Sequence, residues 1–279
     1  MLTIDATGHN AGAATRNNVT VTGRPDGPVL LFAHGFGCDQ DMWQRVVPVF
    51  AEDHRIVLFD HVGAGRSDLS AYDRTKYSTL DGYAADLLQI CDELDLRDVI
   101  LIAHSVSAMM AVVAAVAEPA RFSRLVLVAP SPRYIDDPAD GYIGGFSAED
   151  IEGLLESLET NYFAWAAAMA PMVMGNPDAP ELGDELAGRF CATDPDIAGE
   201  FARVTFLSDT RHLLPQVTTP ALVLQCSQDM LASTQVGDYV HRNLAGSTLV
   251  QLAATGHCPQ VSAPAETSAA IRDYLSAAR

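Results

Sequence analysis

Four short and almost uninterrupted apolar runs, Val29 to Ala33, Ile56 to Asp60, Val99 to Ala103 and Leu125 to Ala129, recur along the first half of the chain with amphipathic stretches between them. A strand with water on one face alternates apolar and polar residues. These runs do not alternate, so they predict strands covered by helices on both faces, which is the βαβ pattern of a mostly parallel sheet. A preceding run, Val19 to Thr22, closed by Gly23, predicts an antiparallel edge strand. The rhythm stops after Pro132. From Arg133 to Pro215 the sequence carries only helical signals. Ser147-Ala148-Glu149-Asp150 reads as a capping box ahead of Ile151, Leu154, Leu155 and Leu158. Further helices are expected at about Tyr162 to Met174, Glu181 to Phe190 and Asp196 to Ser208, the last opened by Asp194-Pro195. Strands resume at Ala221 to Gln225 and Thr248 to Leu252, with helices near Thr234 to Leu244 and Ala265 to Ala278. The expected division is a flexible tail over 1–15, an α/β core formed by 16–132 and 216–279, and a four-helix lid over 133–215.

A chain of 279 residues suits one such domain with an insertion, and at this size about 75% of the unfolded surface can be buried. Hydrophobic residues at 48% and charged ones at 19% place it among globular proteins. Seventeen Lys and Arg against thirty-six Asp and Glu leave a net charge of −19, which argues against nucleic acid and anionic membrane surfaces as partners. Sixteen acidic residues against four arginines put −12 of that charge in 133–215. That is read either as the solvated outer faces of amphipathic helices or as a docking surface for a basic patch. Cys38, Cys91, Cys191, Cys226 and Cys258 are scattered, without the spacing of a disulfide framework or a zinc site, and no cofactor motif is found. Residues 1–18 lack an apolar leader core and no run approaches the roughly 18 apolar residues of a membrane span. A cytoplasmic location is expected.

Three residues stand at the ends of apolar runs in the order Ser105, Asp229, His257, which is the order nucleophile, acid, base along the edge of a parallel sheet. Ala103-His104-Ser105-Val106-Ser107 joins a strand to an Ala-rich helix. A nucleophile on so sharp a turn needs small neighbours two residues away on each side, and Ala103 and Ser107 are small. Each residue also has a plainer reading: Ser and Asp cap helices, and His satisfies buried carbonyls. His34-Gly35-Phe36-Gly37 tips the balance, because a backbone free of large side chains at the end of the first buried strand can aim amides at a carbonyl oxygen. The Phe36 and Val106 amides are the candidates for that oxyanion hole. His257 would accept the Ser105 proton, and Asp229 would fix its tautomer. Phe36, His104, Val106, Trp165 and Phe206 are the expected pocket residues, although the stripe Tyr162, Phe163, Trp165, Met169, Met172 and Met174 is ordinarily core. His34 is expected to bond within its loop, Cys258 to be a small packing residue, and His9, His54, His61, His212 and His241 to lie on the surface or in loops. Gly63-Ala64-Gly65-Arg66-Ser67 lacks the ending of a phosphate loop and is read as a turn tied down by Arg66 and Asp68.

Several stretches carry a family resemblance: His34-Gly35-Phe36-Gly37-Cys38-Asp39-Gln40, Phe59-Asp60-His61-Val62-Gly63, His104-Ser105-Val106, Arg189-Phe190-Cys191, Thr193-Asp194-Pro195 and Gly256-His257-Cys258-Pro259. With Asn161-Tyr162 and Trp165, they resemble the RsbQ-type α/β-hydrolases, bacterial energy-stress regulators, whose relatives include the plant strigolactone and karrikin receptors. Ala103 stands where that family usually has Gly. The resemblance implies the α/β-hydrolase fold, a V-shaped four-helix lid over a hydrophobic pocket, and a catalytic set matching Ser105, His257 and Asp229. It further implies slow hydrolysis of a small apolar ligand coupled to partner binding, the bacterial partner being a sensor-domain phosphatase. The expected activity is hydrolysis of a small hydrophobic ester, lactone or butenolide-like compound through an acyl-enzyme. The competing expectation is a ligand-sensing regulator with vestigial hydrolysis, and carbon-carbon bond hydrolysis or a lyase reaction on the same residues stays open because one fold hosts many chemistries.

Overall fold

The computed structural model describes residues 12–277. In chain order the elements are helix α1 (Ala13–Arg16), strands β1 (Thr20–Gly23), β2 (Val29–Ala33) and β3 (Arg55–Leu58), helix α2 (Leu80–Glu93), strand β4 (Val99–His104), helix α3 (Val106–Ala117) and strand β5 (Phe122–Val128). Four helices follow, α4 (Ala148–Thr160), α5 (Tyr162–Met174), α6 (Pro180–Cys191) and α7 (Pro195–Leu207). The chain then returns to β6 (Ala221–Gln228), α8 (Thr234–Asn243), β7 (Ser247–Thr255), α9 (Pro259–Ser262) and α10 (Pro264–Ala277). The sheet order is β1-β3-β2-β4-β5-β6-β7, with β1 antiparallel to β3 and every other pair parallel. The expected edge strand and the buried strands are where the residue patterns put them.

Alternation along each strand divides the core in two. Leu31 and Ala33 face the side packed by α2 and α3, whereas Leu30 and Phe32 face the side of Trp43 and Ile271 of α10. The second cluster runs on into Ile151, Leu155, Trp165 and Phe190 of the four-helix segment, so this segment shares its packing with one face of the sheet. Each such large side chain taken out of water stabilises the fold by about 1.5–3 kcal/mol. The order reverses between β2 and β4: the chain moves outward from β2 to β3, then crosses back to β4 and continues the other way. Loops leaving adjacent strands at such a reversal diverge and leave a crevice at their carboxyl ends. The loop after β2 and the turn after β4 both open there.

Some expectations are corrected. Residues 13–15 were expected in the tail, but α1 is folded against α2: the Ala14 N–H donates to Glu93 at 3.0 Å and Arg16 pairs with Asp86 at 2.7 Å. The rest of the expected tail, residues 1–11, lies outside the described residues. β6 runs through Gln228 and β7 through Thr255, beyond the expected ends, because Gln228 pairs with Thr255 across a bulge and the Ser227 hydroxyl donates to the Ala253 and Ala254 carbonyls. Ladder pairing here overrides a locally polar composition. The turn at 63–67 is held by the Asp60 carboxylate, which accepts from the backbone N–H groups of Gln40 and Arg66, and the Arg66 guanidinium instead lies in the open beside Asp41. No helix among the described residues is long and apolar enough to cross a membrane.

Candidate active site

The turn after β4 places Ser105 at φ 57° and ψ −126°, a left-handed conformation that costs a non-glycine residue on the order of 1–3 kcal/mol. Surrounding structure holds it there. The Ser105 N–H donates to the Val128 carbonyl at 2.9 Å, and Ala103 and Ser107 are both fully buried against neighbouring elements. Val106 is the first residue of α3, and the first amides of a helix have no acceptor within it. On the opposite side, a Cβ at Gly35 would lie 2.7 Å from His104 Nδ1 and 3.1 Å from the Ser105 Cβ. Only glycine lets the loop after β2 approach the serine so closely, and Phe36 follows it directly.

Asp229 stands one residue past β6, and both of its carboxylate oxygens have partners. Oδ1 accepts from the N–H groups of Leu231 at 2.8 Å and Ala232 at 3.1 Å, and Oδ2 lies 2.7 Å from His257 Nδ1. Burial pushes the Asp229 pKa upward, but His257 and the bonds from His257, Leu231 and Ala232 outweigh it and hold the carboxyl below its ordinary value. With Nδ1–H directed at the carboxylate, His257 Nε2 is the acceptor for the Ser105 hydroxyl, 2.7 Å away. The histidine loop is fixed at three points. Gly256 N–H donates to the Gln228 carbonyl at 2.7 Å, His257 N–H donates to the Val173 carbonyl in the last turn of α5 at 2.8 Å, and the His257 carbonyl accepts from His104 Nε2 at 2.8 Å. Burial first, and then His257, pushes the His104 pKa down to about 3, so it is a neutral donor. Gly256 has φ 80°, and a Cβ there would fall 1.7 Å from the Met174 carbonyl oxygen, which leaves glycine as the residue that fits.

Above these residues is a cavity of about 30 Å³ whose lining includes Phe36, His104, Tyr134, Trp165, Phe190, Thr205, Phe206 and Leu231, with Ser105 and His257 at its floor. That is far below the roughly 300–1,000 Å³ typical of ligand pockets. Aromatic packing narrows it. The Phe36 ring has Trp165, Phe190, Phe201 and Phe206 around it at centroid distances of 6.1, 6.0, 5.5 and 6.2 Å. Cys38 and Cys258 also line it, and burial raises the Cys38 thiol to about 12 and the Cys258 thiol well above its ordinary value, so both are packing groups near neutrality.

Ser105, Asp229 and His257 are therefore brought together, and four of the five expected pocket residues, Phe36, His104, Trp165 and Phe206, do line the cavity. Val106 does not. Its side chain points into the core cluster packed by α2 and α3, because the turn after Ser105 directs the start of α3 beneath the sheet edge. His61, expected on the surface or in a loop, is 1% exposed, since Tyr83 of α2 and Phe201 of α7 close over it at 5.7 and 6.1 Å. Tyr134 was not anticipated. It is 1% exposed, lines the cavity with Ser105, and has its phenol pushed up by burial against the opposing effect of Ser105. It stands in irregular chain just after β5, where no periodic signal marks it. Phe190 and Leu231 were likewise missed, although the Arg189-Phe190-Cys191 stretch had been singled out.

The Alpha/beta hydrolase family profile matches residues 30–270. The chain is 40% identical over 249 residues to the Karrikin insensitive 2 receptor CA of Petunia hybrida, covering 89% of this chain and 91% of that protein. It is 38% identical to the Strigolactone esterase D14 of Arabidopsis thaliana, covering 92% and 96% respectively. Among solved structures, a hydrolase from Oleispira antarctica superposes with a TM-score of 0.91 at 40% identity, covering 95% of this chain and 96% of that one.

Proposed function

Because the chain belongs to the alpha/beta hydrolase family, we propose that it is a serine hydrolase acting on a small hydrophobic ester, lactone or butenolide-like compound through an acyl-enzyme on Ser105. The observation that carries this reading is the continuous hydrogen-bond chain from Asp229 through His257 to Ser105 at the floor of an apolar cavity. In the proposed course Ser105 Oγ attacks the substrate carbonyl as its proton passes to His257 Nε2, and the Phe36 and Val106 N–H groups receive the developing oxyanion. Asp229 stabilises the imidazolium. The imidazolium then protonates the leaving oxygen, and water repeats the cycle on the acyl-enzyme. Residues 133–215 act as the lid in this reading. Ser105→Ala is expected to lower turnover of p-nitrophenyl acetate by at least about 10³-fold and to abolish labelling by a fluorophosphonate. Undiminished turnover in that variant would refute the proposal.

The small cavity and relatives named as receptors favour a second reading, in which ligand capture rather than turnover is the output and a partner reads the lid. A sensor-domain phosphatase is the partner that the bacterial resemblance supplies for it. Stoichiometry separates the two. Many turnovers per chain on simple esters mark an enzyme, whereas one covalent event per chain, accompanied by a thermal shift, marks a sensor.

A further inference from the structure

His61 and Ser107 lie behind the proposed oxyanion hole rather than in it, and both are fully or almost fully buried. Their protons can be counted. The Ser107 hydroxyl donates to the His34 carbonyl oxygen, so it has no proton left for His61. His61 Nε2–H therefore donates to Ser107 Oγ at 2.7 Å and leans toward the same His34 carbonyl at 3.0 Å. The His61 backbone N–H donates to His34 Nε2 at 3.0 Å, which leaves the His34 Nδ1–H for the Gly35 carbonyl at 2.9 Å. Each bond fixes the next. His34 is held at its ring and at its carbonyl by one residue, with both imidazoles in opposite neutral tautomers.

The three residues come from three neighbouring strand ends. His61 follows β3, His34 follows β2, and Ser107 is in the first turn of α3 after β4, and these strands stand in the order β3-β2-β4. His61 thus reaches across β2 to the helix after β4. The loop it pins carries Phe36, and the helix turn carries Val106. We infer that the His61–Ser107 pair is a positioning device that sets the spacing between the two oxyanion-hole amides, a role that rests on the proposed hydrolase chemistry. His61 is not an acid or base in this role. Its ring is enclosed by His34, Phe59, Tyr83 and Phe201, its Nδ1 is buried without a partner, and burial holds its pKa well below the ordinary histidine value.

An amide displaced from the oxyanion weakens a contact made most strongly in the transition state, so the loss falls on kcat and spares KM. The test uses Ser107→Ala, His61→Leu and His61→Gln, the last keeping an N–H donor near the position of Nε2. Expected for Ser107→Ala and His61→Leu is a kcat on p-nitrophenyl acetate lowered by about tenfold to 10²-fold, with KM and the pH midpoint of kcat unchanged. Inhibition by an alkylboronic acid, whose tetrahedral adduct fills the hole, weakens in parallel, and His61→Gln recovers most of both. Overturning results would be a loss below twofold in Ser107→Ala and His61→Leu, a loss confined to KM, or His61→Gln as impaired as His61→Leu at equal melting temperature. Ser107→Ala removes one oxygen and keeps the fold testable if His61→Leu does not. Ser105→Ala run alongside separates the two claims: if it alone abolishes turnover, the hydrolase reading stands and only the positioning role fails.

Discussion

Both carboxylate oxygens of Asp229 are occupied, one by the backbone N–H groups of Leu231 and Ala232 and the other by His257. An amide in its place would face donors on both sides with only one acceptor oxygen. Asp229→Asn is therefore expected to turn His257 to the wrong tautomer and lower kcat by about 10⁴-fold while leaving the fold intact, checked by kinetics on p-nitrophenyl acetate together with circular dichroism. Ser105, Asp229 and His257 were legible because each follows an apolar run, and strand ends in a parallel sheet converge. His61 was not legible. A histidine in a glycine-rich turn carries the same local signal whether exposed or buried, and what buries it is Tyr83 and Phe201, distant in sequence.

The helices of the inserted segment were legible almost to the residue, because their ends are written locally. Ser147 and Asp150 form the capping box of α4, the Asn161 side chain caps α5, and Asp194 caps α7 just before its first-turn proline. What does not follow from local sequence is how the two ends of the segment are tied to each other. Arg133, at its start, pairs with Asp209, at its end, at 2.7 Å, and Arg211 bonds Asp137 at 2.9 Å and Asp209 at 2.7 Å. Partial burial acts to raise the Asp209 pKa, but the bonds from Arg211 and Arg133 bring it down to about 2. A carboxyl whose folded pKa lies below the unfolded value of about 3.9 adds stability above that value and loses it as pH falls toward the folded one. Asp209→Asn is accordingly expected to destabilise the protein at neutral pH by about 0.5–1 kcal/mol, a figure reduced for solvent screening. The difference from the native chain should shrink progressively as pH falls from about 4 to about 2. Urea titrations across that range measure it, and a gap that widens on acidification would contradict the assignment.

For the molecule as a whole, a net charge of −19 surrounds an apolar cavity, and much of it sits on the helices that cover that cavity. Such a field repels anions over distances that salt shortens, with a screening length of about 30 Å at 0.01 M and about 8 Å at 0.15 M. For neutral esters kcat/KM is expected to be nearly independent of salt, whereas for an ester bearing a carboxylate it should rise several-fold over that range. Equal salt response for the two would remove the field from the account of substrate choice. The residue pattern predicts a mostly parallel sheet with an antiparallel edge, but the reversal of strand order at β2 and β4 is seen only in the pairing of the strands. The narrowness of the cavity is equally absent from the local sequence, because it depends on rings from three helices, α5, α6 and α7, meeting around Phe36.

The bond from the His257 N–H to the Val173 carbonyl gives one wall of that cavity a double duty. The helix that lines the chamber also holds the backbone of the loop that carries the imidazole. If α5 swings outward this bond is lost, and the loop keeps only its ties to Gln228 and His104. A guest admitted by displacing α5 would therefore meet a histidine whose loop has one of its three moorings undone.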